Sequence, residues 1–482
     1  MTSTQCKLVS QNPASSFIAG RLQCFYNKWE NLTTDSFILN IVKGCKIDLL
    51  QQPSQMHVSK QKQFSAKEAT FIEAEISKLL AKQVIIPSHH EKGEYISTIF
   101  LTPKKDGSFR LILNLKRFNK FVRYQHFKME SLKQVIQMIK PDCFMASLDI
   151  RDAYYSVAIH ESHQKYLKFH FKGQLYQFTC MPNGLACAPR LFTKLLKPVY
   201  GHLRAQGLLS VGYIDDSYLQ GYSYDDCRHN VSTTSTFLSE LGFCVHEEKS
   251  NFIPAQEIEF LGFLLNSKLM IVSLTPNKSR RLKQACEKLM TQTQPSIREV
   301  SEVIGILVAS FPGVEMGPLF YRQLENDKIS ALKACRGHYD EVMTPSKTSL
   351  ADLRWWADNI ETTCKTISKP KPEYTLFTDA SLLGWGANFQ GKSAGGQWLP
   401  TEAVQHINYL EMSAVLLGLQ TFCSSLSNTH ICLKTDNTTA VSYINNMGGS
   451  QAFGLLQYTY QASLMGKQIK LLEFFMTKQN GS

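Results

Sequence analysis

The sequence predicts an α+β protein in two parts, a larger region mixing helices with antiparallel sheet and a smaller α/β unit behind it. Three observations carry this. At 482 residues with 43% hydrophobic content the chain exceeds what one core organises. From Ser65 onward, stretches of helical period alternate with short period-2 runs bounded by turn residues. The Lys- and Pro-rich stretch KTISKPKPEY then interrupts the pattern, and YTLFTDASLLGWGANFQ restarts it as strand.

Taken in order, residues 1–64 are polar and weakly periodic (SQNPASS, QQPSQ, SKQKQ), which predicts a poorly ordered leader without chemistry. Ser65 with Glu68 forms a capping pattern ahead of AKEATFIEAEISKLLAKQ, so an amphipathic helix starts there. The runs YISTIFLTP and SFRLILNL flank the turn KKDG and read as a hairpin. FMASLDI, SVAI, YLKFHF and QLYQFTC read as strands, a helix is expected from about Pro189 to Arg204, and LLSVGYIDDSYLQGY reads as a hairpin with Asp-Asp at its tip. Residues 271–345 are mainly helical in pattern, and LADLRWWADNI lies in a connecting segment, 346–372. Residues 373–482 form the second unit, with a helix near NYLEMSAVLLGLQTF and a strand at HICLKTD.

No run approaches the roughly 20 apolar residues of a membrane span, and the first residues lack the regions of a signal peptide, so a soluble, intracellular protein without a membrane partner is expected. The 13 cysteines lack CxxC spacing and an even count, which favours reduced, buried thiols over disulfides or zinc. The histidines of HESH do not have HExxH spacing. The formal charge is +12, and from Lys371 onward basic and acidic residues balance at 6 each. The whole surplus sits in the first three-quarters of the chain, where a polyanion such as a phosphate backbone would be held.

Asp149 ends the apolar run FMASLD, and Asp215 and Asp216 follow 66 residues later at a hairpin tip, so adjacent antiparallel strands can bring the three together. Clustered carboxylates repel one another unless cations neutralise them, and all-oxygen ligands select hard ions such as Mg²⁺. Asp-Asp at a hairpin tip is also ordinary turn chemistry, and the tetrapeptide YIDD alone decides nothing.

The order of motifs says more. TPKKDGSFRLILNLKRFNK, FKMES, SLDIRDAYYSVAIHESHQKYLKF, YQFTCMPNGLACAPRLFTK, GYIDDSYL, EEKSNF and IEFLGFLLN resemble, in sequence order, the reverse transcriptases of long-terminal-repeat-like and DIRS-like retrotransposons. The resemblance implies a right-hand polymerase (fingers and palm at 65–270, thumb at 271–345). It implies a retroelement RNA-directed DNA polymerase using an RNA or DNA template, a DNA or RNA primer and dNTPs. Asp149 and Asp215 would hold Mg²⁺, or Mn²⁺ in its place, with Asp216 as third acid. Lys104, Lys105 and Arg110 would meet the triphosphate, Tyr154 would act as steric gate against a 2′-OH, and Gly184 would let backbone approach the new base pair. Asn183 stands where relatives usually have Gln or Phe. Lys249 would lie near the leaving pyrophosphate, and Phe260, Leu261 and Gly262 would form a primer grip.

Asp379, Glu411 and Asp436, spaced by 32 and 25 residues, resemble the acids of ribonuclease H, which cleaves the RNA strand of a hybrid. The family's fourth acid has no counterpart: after Asp436 the one acidic residue is Glu473. A C-terminally truncated ribonuclease H-like domain, weak or inactive, is therefore expected. No protease or integrase motif is present, so an element-encoded recombinase or integrase is expected from another chain. The rival from a different class is a non-catalytic nucleic-acid-binding relic of a decayed element.

Overall fold

The polar stretch read as a leader is folded from Phe17 onward. Asp35 caps a helix by accepting from the Phe37 amide at 2.8 Å, and Ile38, Ile41 and Val42 recur at helical spacing on one buried face. Just ahead, the Trp29 ring is fully buried and its indole N–H donates to the Leu241 carbonyl at 2.9 Å. Leu22, Phe25, Trp29, Ile38, Ile41, Val42 and Ile47 sit in the main core of the first unit, and two helices of 7 and 9 residues leave too short a periodic signal to read. In the computed structural model the described residues are 17–103, 109–367, 372–426, 429–447 and 469–475. Chain contacts divide them into two units, Met1–Leu261 and Gly262–Ser482.

In the first unit, helices α1 (Tyr26–Leu32) and α2 (Ser36–Gly44) precede α3 (Ala66–Ala81), which opens on the expected capping box of Ser65 and Glu68. Strand β1 (Ile85–Pro87) leads to the antiparallel hairpin of β2 (Thr98–Pro103) and β3 (Phe109–Asn114). Helix α4 (Leu132–Met138) is followed by β4 (Phe144–Asp149), then β5 (Lys168–Phe171) and β6 (Gln174–Phe178), which join β1 in the order β1-β6-β5. Helix α5 (Ala188–Ala205) precedes the hairpin β7 (Leu209–Tyr213) and β8 (Asp216–Gly221), then α6 (Tyr224–Glu240), β9 (Asn251–Ala255) and β10 (Glu257–Phe260).

The central sheet has the order β7-β8-β4-β9, all antiparallel. Helix α5 buries Leu191, Phe192, Leu195, Leu196, Val199, Tyr200 and Leu203 against the unit's core. Two glycines are required by this packing. A Cβ at Gly212 would lie 2.0 Å from the Tyr200 ring, and one at Gly221 would lie 2.2 Å from the Cys227 backbone nitrogen. Burying these seven large side chains of α5 is the dominant stabilising effect there, at about 2 kcal/mol each.

In the second unit, β11 (Phe263–Asn266) and β12 (Ile271–Leu274) form a hairpin, followed by helices α7 (Pro276–Thr291), α8 (Ile297–Val308), α9 (Arg322–Ala334) and α10 (Lys347–Asn359). Trp355 of α10 stacks on Phe320 at 3.8 Å, and Trp356 donates to the Phe320 carbonyl at 2.8 Å, which explains the paired tryptophans. The stretch read as a linker begins as strand: β13 (Lys365–Thr366) pairs with β12, because the backbone can add to a free edge whatever its side chains.

Strands β14 (Tyr374–Ala380), β15 (Gly384–Phe389) and β16 (Lys392–Gln397), helix α11 (Ile407–Cys423), strand β17 (Thr429–Lys434), helix α12 (Thr438–Asn445) and strand β18 (Ile469–Phe475) complete the unit. Their sheet runs β16-β15-β14-β17-β18, antiparallel at β14 to β16 and parallel from β14 to β18. Helix α11 packs Val415, Leu419 and Cys423 on Leu376, Ala387 and Phe389. Among the described residues no helix is long and apolar enough to cross a membrane.

Candidate functional site

The first carboxylate group is built by sheet register. β4 pairs with β8 so that Asp149 stands opposite Asp216, and β7 pairs with β8 so that Tyr213 also stands opposite Asp216. Only Ile214 and Asp215 remain to turn the chain, and Ile214 adopts φ +56°, a strained conformation for a β-branched residue. The turn is anchored on several sides. The Ile150 amide donates to the Asp215 carbonyl at 2.8 Å, and Ser250 Oγ accepts from the Asp149 amide at 3.0 Å. Glu130, from the FKMES motif, accepts from the Gly212 amide at 2.9 Å and from Arg204 at 2.8 Å.

Burial raises the pKa of Asp215 above the ordinary aspartate range, with the charge of Asp149 adding to it and Lys249 and Arg110 opposing it. Burial and the neighbouring Asp215 and Asp149 push Asp216 up to about 6. Burial and mutual repulsion both disfavour the charged carboxylates here, and all-oxygen ligands of this kind suit a hard divalent cation.

Beside these acids lies a cavity of about 420 Å³ whose lining includes Phe109, Arg110, Tyr154, Asn183 and Asp215. Residues from β3, from the turn after β4, from the loop before α5 and from the β7–β8 tip therefore meet in one pocket. Tyr154 packs edge-on against Phe192 at 5.4 Å, and burial raises its hydroxyl pKa to about 12, so it stays a neutral phenol. Gly184 has φ +92°, and a Cβ there would lie 3.4 Å from the Leu113 carbonyl. Asn119 straps this loop, donating to the Gly184 carbonyl and accepting from the Ala186 amide, each at 2.9 Å. Asp152 also lines the cavity, but Lys82 pairs with it at 2.6 Å.

Asn119, Glu130, Ser250 and the Lys82–Asp152 pair escaped sequence reading. Asn119 and Glu130 sit inside motifs, but their partners lie 65 and 82 residues away, beyond any periodic signal. Lys104 and Lys105 lie outside the described residues. Lys249 acts on both Asp215 and Asp216 through its charge. Of the residues expected to grip a primer, Phe260 is buried at 3% exposure, with its ring 5.7 Å from that of Tyr218. Leu261 and Gly262 follow with φ of +49° and +76°, forming a tight turn. In the HESH stretch, His163 Nδ1 accepts from the Ile47 amide at 3.1 Å, a structural contact.

The second carboxylate group lies in the second unit. β14 and β17 are parallel, with Phe377 opposite Lys434, so Asp379 and Asp436 emerge at the same end of the sheet. Glu411 points there from α11, and the ligand oxygens of the three lie within 4.8 Å of one another. Burial, then the charges of Asp436 and Asp379, push Glu411 up to about 7. Thr435 Oγ1 donates to its carboxylate at 3.3 Å. The backbone register puts Glu473 beside Cys432.

With this geometry described, comparison with known proteins adds a family. Residues 102–265 match the family model described as reverse transcriptase (RNA-dependent DNA polymerase). Among curated proteins, the Tf2-3 transposon polyprotein of Schizosaccharomyces pombe is 22% identical over 208 residues, and the Tf2-7 polyprotein is 21% identical over the same length. That stretch is 43% of this chain and 15% of the polyprotein, so the chain matches only a small part of its relatives' length. Among solved structures, the foamy viral protease-reverse transcriptase dRH in complex with double-stranded DNA superposes over 97% of this chain and 84% of its own, with TM-score 0.58 at 15% identity. The same enzyme in complex with an RNA/DNA hybrid covers 98% of this chain and 66% of its own, with TM-score 0.56 at 13% identity.

The fold is that of a right-hand polymerase followed by a ribonuclease H-like α/β domain. Within it, residues 102–265 match the reverse transcriptase family and resemble part of the Tf2 polyproteins.

Proposed function

We propose that this chain is the RNA-directed DNA polymerase of a retroelement, extending a DNA or RNA primer on an RNA or DNA template with dNTPs. The observation that carries the proposal is the register of β4, β7 and β8, which gathers Asp149 and Asp216 around Asp215, itself in the lining of the cavity with Arg110 and Tyr154. Asp149 and Asp215 would hold two divalent ions, Mg²⁺ or Mn²⁺, with Asp216 completing the negative field. Ions bound there supply the charge that stabilises the attacking primer oxygen and the leaving pyrophosphate oxygen.

The remaining roles fall to the protein's own groups. Arg110 donates to the triphosphate, and Lys249 draws charge toward the departing pyrophosphate. Lys104 and Lys105 are assigned to the same triphosphate. Tyr154, a neutral aromatic wall, fills the space a 2′-OH would need. Gly184 and Asn183 let backbone lie close under the base pair, in a loop that Asn119 keeps in place. The Lys82 partner keeps Asp152 from repelling a triphosphate. Phe260, Leu261 and Gly262 form the primer grip, the last two as the turn that follows β10.

For the second site we assign Asp379, Glu411 and Asp436 as metal ligands for cleavage of the RNA strand of a hybrid. An element-encoded recombinase or integrase on another chain would complete integration. The deciding experiment is template-dependent dNTP incorporation by the purified chain beside Asp215→Asn. Near-normal incorporation by the variant would remove the carboxylates from the reaction.

A further inference from the structure

The segment from Phe17 to the end of α1 is packed on residues that shape the nucleotide cavity. Two backbone bonds fix its start: the Ala19 amide donates to the Lys82 carbonyl and the Gly20 amide to the Tyr155 carbonyl, each at 2.8 Å. Further along, the segment grips the turn after α6. The Trp29 N–H holds the Leu241 carbonyl, a Cβ at Gly242 would lie 2.5 Å from the Phe25 ring, and the fully buried Arg21 donates to Cys244 Sγ. The Cys244 carbonyl in turn accepts from the Arg151 amide at 2.7 Å. The segment therefore holds the stretch after β4 at two points, directly at Tyr155 and through Cys244 at Arg151.

Between those two points lies Tyr154, and a row of rings joins it to the segment. Trp29 meets Phe243 edge-on with centroids 6.0 Å apart, Phe243 meets Phe192 edge-on at 6.0 Å, and Phe192 meets Tyr154 edge-on at 5.4 Å. Trp29, Phe243 and Phe192 have no exposed surface, and an interior packed at crystal density passes a displacement on where a looser one would absorb it. Tyr154 is half-buried, lining the cavity with its ring backed by Phe192. How far that ring reaches into the cavity is thus set from behind, by a row of rings that ends in α1.

We propose that Trp29 is a positioning residue for sugar selection: through Phe243 and Phe192 it holds the Tyr154 ring at the depth that excludes a 2′-OH. Being fully buried, it meets neither substrate nor metal itself. Removing its indole opens space behind Phe243, into which the row can relax and let the Tyr154 ring recede from the cavity. The inference rests on the reading of Tyr154 as the wall beneath the sugar. It adds a determinant far upstream, outside the segment 102–265 that matches the reverse transcriptase family.

The test is the ratio of dNTP to rNTP incorporation by the full chain, measured as kcat/KM on one primer-template. The ratio does not depend on the fraction of protein that is folded and active, so general destabilisation leaves it unmoved. Trp29→Leu should lower it roughly threefold, chiefly through a lower KM for the ribonucleotide. Trp29→Phe, the milder change, should lower it about twofold and decides the question if Trp29→Leu does not fold. Combined with Tyr154→Val, either variant should give the ratio of Tyr154→Val alone, because the row has then lost its end. Ile38→Val, from the same core but outside the row, should lower the melting temperature and leave the ratio as it is. The proposal is overturned if the Trp29 variants keep the parent ratio while Tyr154→Val lowers it, if they lower it equally without the Tyr154 ring, or if Ile38→Val lowers it as much. An unchanged ratio in Tyr154→Val removes the gate itself, and the role of Trp29 with it.

Discussion

The chain carries two carboxylate triads built in opposite ways. Asp149, Asp215 and Asp216 are set by hydrogen-bond register within one antiparallel sheet, and Lys249 and Arg110 offset part of the charge on Asp215. Asp379, Glu411 and Asp436 come from two parallel strands and a helix, with no lysine or arginine among the influences on Glu411, which is 3% exposed and pushed up to about 7. The first site is partly neutralised by protein and shaped around a substrate cavity; the second leaves neutralisation to whatever cation it binds. A register-built site is sensitive to backbone displacement, a packing-built one to uncompensated charge.

The largest separation of the two sites should come from single neutralisations. Asp215→Asn is expected to lower dNTP incorporation by about a thousandfold or more while leaving hybrid cleavage and primer-template affinity in place, because affinity comes from many dispersed basic contacts. Asp379→Asn should do the converse. Measuring both activities on both variants checks this, and any cross-loss means the sites are not independent.

Next comes the backbone sensitivity of the first site. Gly212→Ala puts a methyl group into the Tyr200 ring, with an ideal Cβ 2.0 Å away, so β7 must move and carry Asp215 with it. Polymerase activity should fall by about a hundredfold with a stability loss of about 2–3 kcal/mol, the range for overpacking. Tyr200→Ala should restore part of the activity of Gly212→Ala. If Gly212→Ala alone is silent, the hairpin is more compliant than its packing implies.

A smaller effect is expected at the cavity wall. Tyr154→Val should reduce the preference for dNTP over rNTP by roughly one order of magnitude, chiefly through faster ribonucleotide incorporation. An unchanged ratio would leave Tyr154 as a packing partner of Phe192 and nothing more.

The smallest effect sharpens the contrast in charge. Glu411 has a raised folded pKa, so its ionisation opposes folding: the penalty is absent below the unfolded value near 4.5 and develops as pH rises toward about 7. In chelator at pH 8, Glu411→Gln should stabilise the second unit by on the order of 1–2 kcal/mol, and at pH 4 it should change nothing. Adding Mg²⁺ should raise the melting temperature of the parent and not of the variant. A destabilising Glu411→Gln in chelator would mean that Thr435 and the backbone hold the carboxylate charged without metal.

Sequence alone was enough for the local and the periodic. The capping box at Ser65, the β2–β3 and β7–β8 hairpins, the long helix α5 and the β restart at Tyr374 all follow from spacing and turn residues within a dozen positions. The adjacency of Asp149 to the Asp215–Asp216 tip was legible too, because an apolar strand and a hairpin of matching length have few other ways to pair. What the tertiary structure decided lies at long range or against local preference. The burial of Trp29 beneath Leu241, the hold of Glu130 on Gly212 and the binding of Gln55 and Gln61 to the edge of β2 join residues tens to hundreds apart. The positive φ of Ile214 and the burial of Phe260 likewise depend on neighbours supplied by the fold. Polar, aperiodic segments such as 51–64 carry no signal of their own, because their order comes from hydrogen-bond partners that exist only once the sheet edge has formed.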